Sequence, residues 1–308
     1  MAKSRAKLGE LRHATETHPA LQNLNLSVFA AGSLGRLEVG DKSDFDVFML
    51  ADNAEDRRPS ITRLEEFEVF AALIQINENL KYPRFSGDGR FLKTYELKDM
   101  IKSTGSPRDD SENLFTARIL LLLESQPITN SALYKRAERE VVENYFRDGK
   151  GRDDFRPLFV MNDILRYWRT LCLNYEEHRT EVGRPWLKKN LNLKFSRKLT
   201  NFSTIAALLA GVASSPKSFI EVCELTPIER LAFALDEIDD PALVKPFEKA
   251  LEDYELFLKA KEASSMHLGE NDRQRRIISE AADRFGKFLN LIIDSNRIDW
   301  QLRRYVLI

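Results

Sequence analysis

Asp44 and Asp46 stand out as residues able to do chemistry, because only Phe45 separates them at the head of the run Asp44 to Leu50. Side chains of an extended backbone alternate between faces, so both carboxylates point one way while Phe45 and Val47 turn to the other. Carboxylates held together repel each other, and the usual compensation is a cation. Hard oxygen donors suit Mg²⁺ (or Mn²⁺), which takes one or two protein carboxylates and completes its shell with water and substrate phosphates. Ten residues upstream, Gly32-Ser33 closes another apolar run, Leu26 to Ala31. Backbone N–H groups and a serine hydroxyl at such a strand end can seat a phosphate, and the missing Cβ of Gly32 lets it approach. An Asp-x-Asp can also be a solvated strand edge, but acids set among VFAA and VFML are costly without a partner.

These residues need a sheet and helices to hold them. Ala2 to Leu24 reads as a short amphipathic helix broken at His18-Pro19, which leads into the first strand. Pro59 marks the start of a helix whose packed face carries Ile61, Leu64, Phe67, Val69, Phe70, Leu73 and Ile74. A turn-rich passage from Tyr82 to Gly89 precedes a strand over Arg90 to Leu97. Asp109-Asp110-Ser111 is expected to cap a helix over Asn113 to Ser125, in preference to forming a metal site. Another helix follows over Ser131 to Phe146, then a polar loop or hinge over Arg147 to Asp154. From Phe155 onward no strand pattern remains. Val160 to Glu177 is helical, Arg184 to Lys198 is basic and aromatic, and Pro216 to Ile308 is helix broken near Pro227, Pro241 and Gly269. The expected architecture is an α/β (α+β) domain with a small mixed sheet at 1–128, followed by an all-α helical bundle at 129–308.

The 308 residues suffice for two domains, and the net charge of −1 does not describe a general binder of nucleic acid or anionic membrane. Cys172 and Cys223 lie far apart with no second ligand at metal spacing, so they read as reduced thiols of a cytoplasmic protein. The N-terminus has basic residues but no apolar core of a signal peptide, and Ile119 to Leu123 is too short to span a membrane. His13 and His18, divided by the proline break, read as surface residues rather than ligands.

Gly32-Ser33, the ten-residue spacer and Asp44-Phe45-Asp46 together resemble the signature of the DNA polymerase beta nucleotidyltransferase superfamily. The finer string, Gly-Ser-Leu-Gly-Arg with Ser-Asp-Phe-Asp, is most similar to the branch containing the uridylyltransferase domain of nitrogen signalling and related bacterial proteins. No His-Asp dyad of the metal phosphohydrolase type follows, which points to a shorter relative. The resemblance implies a nucleotidyltransferase domain that moves an NMP from an NTP to a hydroxyl and releases pyrophosphate. It assigns Asp44 and Asp46 to Mg²⁺ (or Mn²⁺), and Gly32 and Ser33 to the phosphates with Arg36 as an extra contact. It also requires a third carboxylate on a neighbouring strand. Asp88 is the first choice and Glu96 the second, while a simple Gly-Asp-Gly turn accounts for Asp88 equally well. The family's helical domain often lends cations to the triphosphate, a role open here to Lys194 and Arg197. The acceptor stays open among a protein, a small molecule, an RNA end and a second nucleotide. A long nucleic acid is disfavoured by the balanced charge, and the C-terminal helices are available to a protein partner or a second copy. The alternative is a degenerate nucleotide-binding sensor or scaffold.

Overall fold

A computed structural model describes residues 1–22, 24–41, 43–52, 60–85, 92–149, 152, 155–178, 186–262 and 272–307. The chain is mixed α/β and divides into two compact units, Met1–Asn144 and Tyr145–Ile308. The sequence places the boundary after 128; the division instead falls at the end of the helix Ser131–Tyr145, which counts with the first unit.

In the first unit, α1 (Ala2–Glu16) ends before His18, whose ring nitrogen accepts from the Ala20 N–H and so starts a short turn at Pro19–Leu21. Strand β1 (Leu26–Ala30) runs into a single helical turn, α2 (Gly32–Gly35), and β2 is Val47–Ala51. The expected strand over Asp44 to Leu50 therefore starts later, and Asp44-Phe45-Asp46 form the approach to it. Helix α3 (Arg63–Asn79) starts later than the expected Pro59, which lies outside the described residues. Its start is set by a capping box, in which Thr62 accepts from the Glu65 N–H and Glu65 accepts from the Thr62 N–H. Strand β3 (Thr94–Glu96) is shorter than the expected Arg90 to Leu97.

Helix α4 (Leu97–Lys102) and a short α5 (Pro107–Ser111) precede α6 (Leu114–Leu123). Asp109 and Asp110 thus sit inside α5, and the N-cap of α6 is Asn113 in a left-handed conformation. The physical reason is a buried ion pair. Asp109 takes both terminal nitrogens of Arg118 at 2.8 and 2.7 Å, and neither side chain reaches solvent. Strand β4 (Gln126–Pro127) and α7 (Ser131–Tyr145) complete the unit.

The sheet order is β3-β2-β1-β4, with β1 antiparallel to both β2 and β4, and β2 parallel to β3. Both faces of its central strands are covered. Val28, Ala30, Val47 and Met49 meet Leu8 and Leu11 of α1 and Val69, Leu73 and Ile76 of α3. On the opposite face Phe29 stacks on Phe48 at 5.6 Å, Phe48 lies near Tyr95 at 6.1 Å, and Tyr134 of α7 meets the edge of Phe29 at 6.0 Å.

In the second unit all the described elements are helical. They are α8 (Leu158–His178), α9 (Trp186–Asn192), a π-helical turn at Leu193–Arg197, α10 (Lys198–Ala210), α11 (Pro216–Glu224), α12 (Pro227–Ile238), α13 (Pro241–Glu262), α14 (Asp272–Asp294) and α15 (Trp300–Leu307). Pro227 and Pro241 open helices, as a ring that fixes φ favours; Gly269 lies outside the described residues. Part of the expected loop, Arg147–Gly149, is a 3₁₀ turn. Among the described residues no helix is long and apolar enough to cross a membrane.

Candidate functional site

The antiparallel register Ala30↔Val47 continues one step past the strands, where the Ala31 N–H donates to the Asp46 carbonyl at 2.8 Å. That step sets Asp46 beside Gly32. A Cβ built on Gly32 would stand 2.1 Å from Oδ2 of Asp46, so the missing Cβ, expected to admit a phosphate, instead makes room for the carboxylate. Gly32 also has φ +64, a left-handed conformation that glycine adopts without strain. The N–H groups of Gly32, Ser33 and Leu34 precede any i−4 carbonyl within the turn, while those of Gly35 and Arg36 bond to Ala31 and Gly32.

Asp44 and Asp46 are exposed while Phe45, at 3%, is buried between them. The expected alternation therefore holds although the segment is not in the ladder. Phe45 is held on the α1/α3 side by Tyr82 at 5.7 Å and Phe85 at 6.0 Å. The loop leading to it is tied down as well. Ser4 accepts from the Val39 N–H, Ser43 accepts from the Gly40 N–H, and Lys7 donates to the Gly40 carbonyl at 3.4 Å. The two acids thus project from a fixed segment beside the Gly32 turn. Carboxylates are hard oxygen donors of the kind that bind Mg²⁺ or Mn²⁺, which retain water when bound by one or two acids.

Arg36 lies elsewhere than its expected place beside the phosphates. It is buried, with Nε donating to Glu38 at 3.1 Å and Nη1 to Glu124 at 2.5 Å. A Cβ on Gly35 would stand 1.9 Å from the Glu124 carbonyl, so the second glycine permits a close approach of two backbones. Gly35 and Arg36 together fasten the α2 turn to the end of α6. Sequence reasoning did not single out Glu38 or Glu124. Glu124 had a signal: an acid at the end of the apolar run Ile119 to Leu123 is costly to bury unless paired.

Asp88 lies outside the described residues. Glu96 does not join the pair. It faces Ala51 in the β2/β3 register, five residues past Asp46, or about 16 Å along an extended chain. It also shares the α1/α3 face with Ala51, opposite the acids, and accepts from the Ser60 N–H at 2.8 Å and the Ser60 hydroxyl at 2.5 Å. Among the described residues no three His, Cys, Asp or Glu side chains gather at metal-binding distance. In the second unit Lys194 pairs with Asp283 at 3.0 Å, and Arg197 donates to the Tyr167 hydroxyl at 3.4 Å. Comparison of the chain with family models, with curated proteins and with solved structures finds no match in any of the three.

Proposed function

We propose that this chain is a metal-dependent nucleotidyltransferase, which moves an NMP from an NTP to a hydroxyl-bearing acceptor and releases pyrophosphate. The observation that carries the proposal is the seat of Asp46. Its carboxylate fills the space left by the absent Cβ of Gly32, so the acid and the phosphate-seating turn form one unit. Asp44 and Asp46 would hold Mg²⁺ or Mn²⁺. When bound, such ions stabilise charge on the attacking and leaving oxygens of an in-line displacement.

The chain's own residues bind and orient. The N–H groups of Gly32 and Ser33 and the Ser33 hydroxyl would take non-bridging oxygens of the β- and γ-phosphates. Phe45, anchored in the core, fixes both acids against rotation of the segment, which is how a rigid scaffold supplies alignment. Arg36 holds the turn from behind through Glu38 and Glu124. Asp88, outside the described residues, would be the first choice for the third carboxylate of the mechanism. Lys194 and Arg197, the cations that the resemblance offers to a triphosphate, are engaged with Asp283 and Tyr167. In the reaction the acceptor oxygen bonds to the α-phosphorus, the bond to the bridging oxygen breaks, and the hydroxyl proton passes to a base.

A nucleotide-binding sensor or scaffold is the second reading, favoured by the engagement of Arg36 and Glu96 with other partners. Pyrophosphate release from each of the common NTPs with Mg²⁺ or Mn²⁺ separates the two. Wild type should release pyrophosphate from at least one NTP, and Asp46→Ala should abolish release with an unchanged melting curve. Full activity in Asp46→Ala would remove the mechanism. Metal-dependent NTP binding by wild type with no release would favour the sensor.

A further inference from the structure

The apolar residues of α3 fall on two sides of the helix. Val69, Ala72, Leu73 and Ile76 are buried, as a helix laid on a sheet requires. Leu64, Phe67 and Ile74, expected on that packed face as well, are instead 74, 52 and 42% exposed. With the exposed Ala71 they follow one another at spacings of three, four and three residues, which sets them in one row along the helix. At about 3.6 residues per turn, that row lies on the side of α3 away from the buried one. Single exposed apolar side chains need no explanation, but a continuous row along a helix marks a surface that meets something.

The row is complementary to itself. Two copies of α3 laid antiparallel about a two-fold axis at the middle of the row put Leu64 of one copy beside Ile74 of the other, and Phe67 beside Ala71. The small Ala71 leaves a hole that the Phe67 ring fills, and the two-fold repeats each contact. The ends of the row agree in charge. Arg63 and Glu78 stand at opposite ends with side chains 68 and 56% exposed. The antiparallel arrangement brings Arg63 of one copy within a helical turn of Glu78 of the other. Arg63 pairs with Glu66 and Glu78 with Arg84 at 3.9 Å, surface pairs that compete little with such a contact. A parallel pair would set Arg63 on Arg63, Glu78 on Glu78 and Phe67 on Phe67, with the helix dipoles opposed rather than matched.

We propose that the row Leu64, Phe67, Ala71 and Ile74 is a dimer face, which takes α3 of a second copy of this chain in antiparallel orientation. A 17-residue helix is only about 25 Å long, so the contact is small. The exposed Glu68 of each copy also comes near the axis, a like-charge cost at the rim. The dimer therefore belongs to the weak, reversible end of specific interfaces. It does not depend on the proposed transfer chemistry.

Sedimentation velocity of the full-length protein, from low to high micromolar concentration, should show a reversible shift from monomer toward dimer. Leu64→Ser/Phe67→Ser changes two exposed positions, so it should melt close to wild type while weakening the dimer at least about tenfold. Orientation is read by mixing a Leu64→Cys variant with an Ile74→Cys variant under mild oxidation and mapping the disulfides by peptide mass spectrometry. Links between positions 64 and 74 of different copies should exceed 64–64 and 74–74 links. A monomer at every concentration would leave the row to another occupant, such as a different protein, and overturn the proposal. A dimer that survives Leu64→Ser/Phe67→Ser, or 64–64 links in place of 64–74 links, would overturn it as well.

Discussion

Gly32 answers to two constraints, its left-handed backbone and the Asp46 carboxylate that fills its missing side chain. Gly32→Ala should therefore cost more than the roughly 1–2 kcal/mol of a left-handed alanine, because the carboxylate must also move. Chemical denaturation measures the loss, and a cost below about 1 kcal/mol would mean that the turn relaxes freely. Tyr82, beneath Phe45, gives a second test. Its hydroxyl is buried without a hydrogen-bond partner among the described residues, and burial, with Glu10 as a lesser cause, pushes its pKa from 10.0 to about 12. Between those values the folded protein keeps a proton that the unfolded chain loses. The stabilising contribution is therefore intact below pH 10 and is lost as the pH rises towards 12. Tyr82→Phe should match or exceed wild type at pH 7, since no hydrogen bond is lost, and should show a smaller fall in stability across that alkaline window. A clear destabilisation at pH 7 would show that the hydroxyl has a partner.

At the scale of elements, the apolar runs around Gly32 and Asp46 were legible because alternation and glycine breaks are local signals. Strand β1 and the exposed–buried–exposed order of Asp44, Phe45 and Asp46 follow from that pattern. What was not legible depends on distant partners. Asp109-Asp110 looks like a cap in sequence, yet Asp109 is drawn into a bidentate pair with Arg118, and Asn113 takes the N-cap position of α6 without a side-chain capping bond. Arg36 looks like a phosphate ligand, yet Glu124, far along the chain, takes it. Glu96 fits a third-acid role by residue type, and only the register shows it on the other face. The Arg36–Glu124 pair should be a structural clamp on the α2 turn. Arg36→Met, which takes the paired cation away from buried carboxylates, should cost about 3–5 kcal/mol, and Arg36→Met with Glu124→Gln should recover much of that. Urea midpoints at a constant slope would show it, and an Arg36→Met cost under about 1 kcal/mol would show the pair to be dispensable.

At the scale of the molecule, the end of the first unit was hidden because α7 has the same amphipathic pattern as the helices that follow. Tyr134 on α7 packs against Phe29 of β1, which ties that helix to the sheet. The near-zero net charge predicts that a long DNA duplex is not retained in a gel-shift assay at physiological salt, and tight, steeply salt-dependent retention would contradict this. Asp44 and Asp46, projecting beside the Gly32 turn, are proposed to form a metal seat for a nucleotide. The most direct test is the electron paramagnetic resonance signal of free Mn²⁺, titrated with protein and NTP and corrected for Mn²⁺ held by NTP alone. Wild type should lower the free signal further when NTP is present, and Asp44→Asn/Asp46→Asn should lose that uptake while melting at a similar temperature. Equal uptake by the folded double variant would place the metal elsewhere and contradict the account.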